Sequence, residues 1–119
     1  MKIEDIINRK ELSDRLDGDI ELLNELAEIF ISDSVNLMSK VEETFKAGDS
    51  QSLGKAAHTI KGAVSNFSAA KAYESALALE KIGKNNQMDL ASAAFDELKI
   101  EINNVREALK LLRKEKSIV

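Results

Sequence analysis

The chemistry available to this chain is narrow. A single histidine, His58, stands in a sequence of 119 residues that has no cysteine. An imidazole can serve as a nucleophile, a proton shuttle or a metal ligand near neutral pH. One His without Cys excludes a multi-His zinc site, a thiolate metal site and a Cys/His nucleophile pair. Scattered carboxylates and hydroxyls are the remaining reactive groups, so the functional question centres on His58 and its surroundings.

Helical spacing sets those surroundings. The segment from Ser50 to Phe67 reads SQSLGKAAHTIKGAVSNF, and Leu53, Ala57, Ile60 and Val64 mark its apolar direction. At 100° per residue His58 points roughly 140° away from Leu53, off the core face. Gly54 and Gly62 lie four residues before and after it on the same strip, Ser65 continues that strip, and Lys61 sits one turn on at its edge. Two interior glycines cost on the order of 2 kcal/mol relative to alanine. The segment uses alanine freely at Ala56, Ala57 and Ala63. Either the strip is kept bare so that another protein can approach the imidazole, or a neighbouring helix packs on the glycines, or they are neutral surface variation.

A carboxylate follows in the next apolar stretch. Ala69, Ala72, Tyr73, Ala76 and Leu79 define its inward arc. Glu80 falls inside that arc, within about 20° of Ala69. A carboxylate facing another helix needs a hydrogen-bond partner or a route to water. His58 is one candidate; accepting from one ring N–H would fix the tautomer and leave the other nitrogen free as a nucleophile. An ion pair with Lys61 or Lys84, or a half-exposed place at the bundle edge, is the alternative.

The elements that must position these groups are helices. The spacing predicts a short helix over Lys10–Leu16, stopped at Gly18, and a second over Ile20–Ala47, capped by Asp19 and ended by Gly48. It predicts a third over Ser50–Asn66 capped by Asp49, a fourth over Ala69–Gly83 capped by Ser68, and a fifth over Leu90–Lys116 capped by Asp89. Leu23, Leu26, Phe30, Ser34, Leu37, Val41 and Phe45 stack on one face of the second, and Ala91, Ala94, Leu98, Ile102, Val105, Leu109 and Leu112 on one face of the fifth. No period-2 alternation competes, and the chain has no proline to interrupt a helix. The fold class expected is all-α: an antiparallel up-down four-helix bundle over residues 19–116, with a short extra N-terminal helix and turn over residues 1–18, in one domain. A second apolar row on the second helix (Ile20, Ala27, Ile31, Val35, Met38) either receives the first helix through Leu12 and Leu16 or stays partly exposed for docking.

Composition narrows the partners. A hydrophobic fraction of 44% and a charged fraction of 32% fit a soluble globular chain. A net charge of −4 argues against nucleic acid. The basic Lys110–Lys116 stretch reads as the solvated last turns of a helix. The N-terminus lacks the apolar core of a signal peptide, and no run is long enough to span a membrane. A cytoplasmic location is expected.

Ala57-His58-Thr59-Ile60-Lys61-Gly62-Ala63, followed by Asn66-Phe67-Ser68-Ala69, resembles the signature of the histidine-containing phosphotransfer (HPt) domain of bacterial phosphorelays. Leu16-Asp17-Gly18-Asp19 with Leu22, Leu23 and Phe30, and Ala47-Gly48-Asp49, resemble the family's opening and its turn before the active helix, so the likeness covers nearly the whole chain. The resemblance implies that His58 is phosphorylated, at Nε2, that Lys61 lies beside the phosphoryl group, and that Gly62 leaves room for the partner. It also implies a Gln or Glu on the next helix against the imidazole, and Glu80 stands at that position. Glu rather than Gln is similar to the domain of chemotaxis kinases. Position 68 is Ser where the family commonly has Gly.

The function implied is a phosphoryl carrier between aspartates of response-regulator receiver domains, fed by a hybrid sensor kinase. The chain has no Gly-rich phosphate loop for ATP. It would need no cofactor or metal of its own, with Mg²⁺ expected on the receiver. The docking surface expected combines Gly54, Gly62 and Ser65 with Ile31, Val35 and Leu12 from the first two helices. A monomer is expected. The alternatives are a phosphoacceptor module of a larger sensor or chemotaxis-type kinase, and a helical adaptor that carries no phosphate. An initiator Met and a helix fading into Ser117-Ile118-Val119 favour the free-standing form.

Overall fold

A computed structural model describes residues 2–119. The five helices are α1 (Arg9–Arg15), α2 (Ile20–Lys46), α3 (Ser50–Val64), α4 (Ala70–Lys84) and α5 (Ala91–Leu112). Short 3-10 turns at Ile3–Asp5, Ser65–Phe67 and Met88–Leu90 precede α1, α4 and α5. No strand occurs among the described residues. The first three helices start as local chemistry dictates. Asn8, Asp19 and Asp49 each accept the backbone N–H three residues on, from Glu11, Leu22 and Ser52, at 3.0, 3.0 and 3.1 Å. Gly18 and Gly48 take the left-handed conformation, φ +69° and +68°, that lets α1 and α2 stop.

The last two helices start differently from the sequence expectation. Ser68 does not cap α4: it sits in the left-handed region at φ +54°, and the N-cap position falls to Ala69, which offers no side-chain hydrogen bond. Asp89 does not cap α5 either, because it lies inside the Met88–Leu90 turn. The Ser65–Phe67 turn continues directly from α3, whereas the Met88–Leu90 turn runs straight into α5 and satisfies part of the start that a side chain otherwise would.

α2 packs on α3 and α5, α3 on α4, and α4 on α5, which closes an antiparallel four-helix ring of 44 × 23 × 21 Å. Leu23, Phe30 and Val41 meet Leu53, Ile60 and Val64, then Ala72, Ala76 and Leu79, then Leu98, Ile102 and Leu109 in one buried cluster. Phe30 meets Phe67 edge to face, with centroids 5.3 Å apart, and Phe45 stacks on Phe95 at 5.1 Å. Ser34 and Thr44 reach the buried face of α2 by returning their hydroxyls to carbonyls of the preceding turn, those of Ile31 and Val41.

The N-terminal segment closes one end of the ring. Ile3, Ile7 and Leu12 are buried there, and the Asn8 N–H donates to the Ser68 carbonyl at 3.0 Å. Leu12 is fully buried, so it is a core residue and presents nothing to a docking partner. The expected helix to Lys116 stops at Leu112, because the tail turns back and buries Ile118. Arg9 holds that return: it donates to the Ile118 carbonyl at 2.7 Å and ion-pairs with Glu4 and Glu115. The second apolar row of α2 also meets a different neighbour from the one expected. Val35 and Met38 line a groove of about 220 Å³ with Phe95, Lys99 and Ile102, so α5 rather than α1 flanks this part of the row.

Candidate functional site

α3 and α4 place His58 and Glu80 against each other. The imidazole is 63% exposed at the outer edge of α3, whereas the Glu80 carboxylate is only 4% exposed beneath it. His58 Nδ1 lies 2.9 Å from Glu80 Oε2. Lys61 Nζ lies 2.6 Å from Oε1, and Lys84 Nζ donates to Oε2 at 2.7 Å. The three partners weighed for Glu80 are therefore not alternatives, for the carboxylate holds all of them.

These contacts decide the protonation pattern. Burial pushes the Glu80 carboxyl up, but Lys61, Lys84 and His58 together outweigh it and carry it down to about 2. Glu80 is ionised at neutral pH and can only accept hydrogen bonds. The hydrogen in the His58–Glu80 contact therefore belongs to Nδ1. In the neutral ring the lone pair is then on Nε2, at the exposed edge of the imidazole. The hydrogen bond to Glu80 also holds Lys61 above the usual lysine value. The Lys61 ammonium lies 5.9 Å from the centroid of the Tyr73 ring, which the inward arc had counted as core but which stands 38% exposed.

The strip expected to be bare divides in two. Gly62 faces open space: a Cβ there would meet nothing within 4 Å. Gly54 is buried under α4, where a Cβ would come within 3.2 Å of the Lys84 backbone nitrogen. The neighbouring-helix explanation thus holds for Gly54, which is covered by α4 and not part of an open docking strip. Ser65 is half-buried and donates its hydroxyl to the Gly62 carbonyl at 2.6 Å. Ile31 is half-buried against the core. Val35 is 52% exposed, but it borders the α2–α5 groove, diagonally across the ring from the α3–α4 edge that carries His58. One member of the site was not foreseen in its role: Gly83 reads in the sequence as the end of a helix but lies at the crossing with Gly54. Lys84, weighed as an ion-pair partner of Glu80, takes that place and shares the oxygen with His58. The signal for Gly83 was its spacing from Glu80, three residues on the same helix.

The bundle thus presents one imidazole to solvent, with its inner N–H held by a buried carboxylate and lysines beside it, and leaves Nε2 free to act as a nucleophile. The Hpt domain family model matches residues 25–108, and the chain belongs to this family. Its class function is histidine phosphotransfer in two-component phosphorelays, where Hpt proteins meet response-regulator receiver domains and kinases. Among solved structures, histidine-containing phosphotransfer protein B (HptB) from Pseudomonas aeruginosa PAO1 is similar to it: 27% identity, TM-score 0.73, covering 76% of this chain and 79% of that chain. No curated protein matches the chain. No helix of the described residues is long and apolar enough to cross a membrane.

Proposed function

We propose that this chain carries a phosphoryl group on His58 Nε2 between aspartates of receiver domains. The observation that carries the reading is the exposed ring whose Nδ1 is tied, at 2.9 Å, to a buried and ionised Glu80. A phosphorylated receiver docks over the α3–α4 edge at the open face of Gly62. The Nε2 lone pair attacks phosphorus in line; the N–P bond forms as the bond to the aspartyl oxygen breaks, and the aspartate leaves as a carboxylate. The Nδ1 proton stays where it is, and Glu80 stabilises the positive charge that the ring acquires. Transfer of this kind depends on positioning and charge stabilisation. Lys61 swings from Glu80 to offset the incoming phosphoryl charge, as a flexible point charge can. The receiver supplies the acidic pocket and its Mg²⁺. The reverse sequence hands the group to a second receiver.

In this reading the chain works as a monomer in the cytoplasm, downstream of a hybrid sensor kinase. The test is incubation of wild-type and His58→Gln proteins with a labelled phosphorylated receiver. Acid-labile, base-stable label on the wild type and none on the variant is the expected result. Label on a folded His58→Gln protein would overturn the assignment.

A further inference from the structure

The outer faces of α2 and α5 leave a groove that the α3–α4 edge does not use. On α5, Phe95, Lys99, Ile102 and Arg106 recur at four- and three-residue steps, so one stripe alternates apolar and cationic side chains. Val35 and Met38 face that stripe from α2, and the six side chains line about 220 Å³. Phe95 is buried, and the Lys99 ammonium lies 5.7 Å from its ring centroid. Val35 is exposed and Met38 half-buried, so the α2 wall offers apolar surface to solvent.

The cations of this groove have no anionic partner. Arg106 Nε is buried and meets no hydrogen-bond acceptor within the protein. Among the described residues neither Arg106 nor Lys99 forms an ion pair. Glu42, the one carboxylate on the lining, is held by Lys46 at 2.7 Å. Lys46, Lys99 and Arg106 against Glu42 leave two positive charges in excess, in a chain whose net charge is −4. A buried donor without an acceptor is costly, and a carboxylate is the group whose geometry best satisfies a guanidinium. The apolar walls call in addition for an apolar side chain beside that carboxylate.

Size selects the source of these groups. Sites for small organic ligands run to about 300–1,000 Å³, whereas this groove takes one or two side chains. We propose that the α2–α5 groove docks a second protein through an acidic residue next to an apolar one. The carboxylate sits on Arg106 and Lys99, and the apolar side chain lies between Val35, Met38 and the Phe95 ring. A partner held here leaves His58 free, because the groove is diagonally across the ring from the α3–α4 edge. The site does not depend on the phosphocarrier reading.

NMR titration of the intact protein with N-acetyl-Leu-Glu-amide, and with N-acetyl-Leu-Gln-amide as the uncharged control, tests the groove. Saturable shifts of the Val35, Met38 and Ile102 methyl signals and of the Arg106 Nε–H signal are expected with the acidic peptide at millimolar concentration. The control binds about fivefold more weakly, as for loss of one part-exposed charge pair. Arg106→Gln brings the acidic peptide down to the affinity of the control, and Val35→Asp, at an exposed position that leaves the fold intact, weakens both peptides. Absent shifts, shifts confined to other surfaces, or equal affinity for the two peptides overturns the proposal. Tighter binding of octanoate than of the acidic peptide would make a free carboxylate the occupant, and concentration-dependent shifts of the groove signals in the protein alone would make it a second copy. Either result also overturns it.

Discussion

Gly83 and Gly54 meet backbone to backbone, and a Cβ on Gly83 would lie 2.5 Å from the Gly54 nitrogen. His58 stands one turn after Gly54 on α3, and Glu80 stands one turn before Gly83 on the antiparallel α4. The crossing of two bare backbones therefore sets the distance between the imidazole and its carboxylate.

Gly83→Ala has no room for its methyl group and must push the helices apart, at a cost of about 1–3 kcal/mol. Gly62→Ala meets open space and gains helix propensity, up to about 1 kcal/mol. Urea denaturation of both variants checks the contrast: a lower midpoint for Gly83→Ala and a higher one for Gly62→Ala. If Gly62 serves partner approach, the more stable variant also transfers phosphate more slowly.

Ser68 sits at φ +54°, where a side chain is strained and glycine is not. Its hydroxyl receives only a long contact from Arg15, 3.3 Å. Ser68→Gly should raise stability by about 1 kcal/mol, read as a higher thermal midpoint.

The acid response of the fold follows from Glu80. Its carboxyl is lowered from 4.5 to about 2 in the folded protein, with burial opposing and Lys61, Lys84 and His58 prevailing. A depressed carboxyl stabilises the fold at pH above its unfolded value, and that contribution disappears as pH falls from about 4.5 through 2. Stability of the wild type measured by urea titration between pH 5 and pH 2 should fall more steeply than that of Glu80→Gln. Parallel curves would show that the cluster does not contribute to stability in this way.

Lys61→Ala removes the cation proposed to offset the phosphoryl charge. Loss of one such charge-stabilising group costs on the order of 100-fold in favourable cases. A reduction of about tenfold or more in transfer rate, with an unchanged helical circular-dichroism spectrum, is expected, and Lys61→Arg should recover part of it.

Much of this was legible before any fold was known. The apolar period of α2 and α5, the caps at Asp19 and Asp49 and the stops at Gly18 and Gly48 are local features, and local features are what a sequence displays. The orientation of His58 away from the core, and of Glu80 toward a neighbouring helix, also follows from counting 100° per residue. The same count misplaced Gly54, Leu12 and the Ile31–Val35 row. Angle around one axis does not say which helix lies opposite, nor how close it comes.

Periodicity and capping act within a few residues, so helices, and one imidazole that points outward from them, are written in the amino-acid order alone. Tertiary structure decided what that imidazole touches. Only the close approach of α3 and α4 at Gly54 and Gly83 brings His58 and Lys61 onto the buried carboxylate that Lys84 reaches within its own helix, and contacts between residues on different helices depend on how backbones cross. Likewise the return of Ile118 to the N-terminal segment, held by Arg9, joins the two ends of the chain by packing that no local pattern announces.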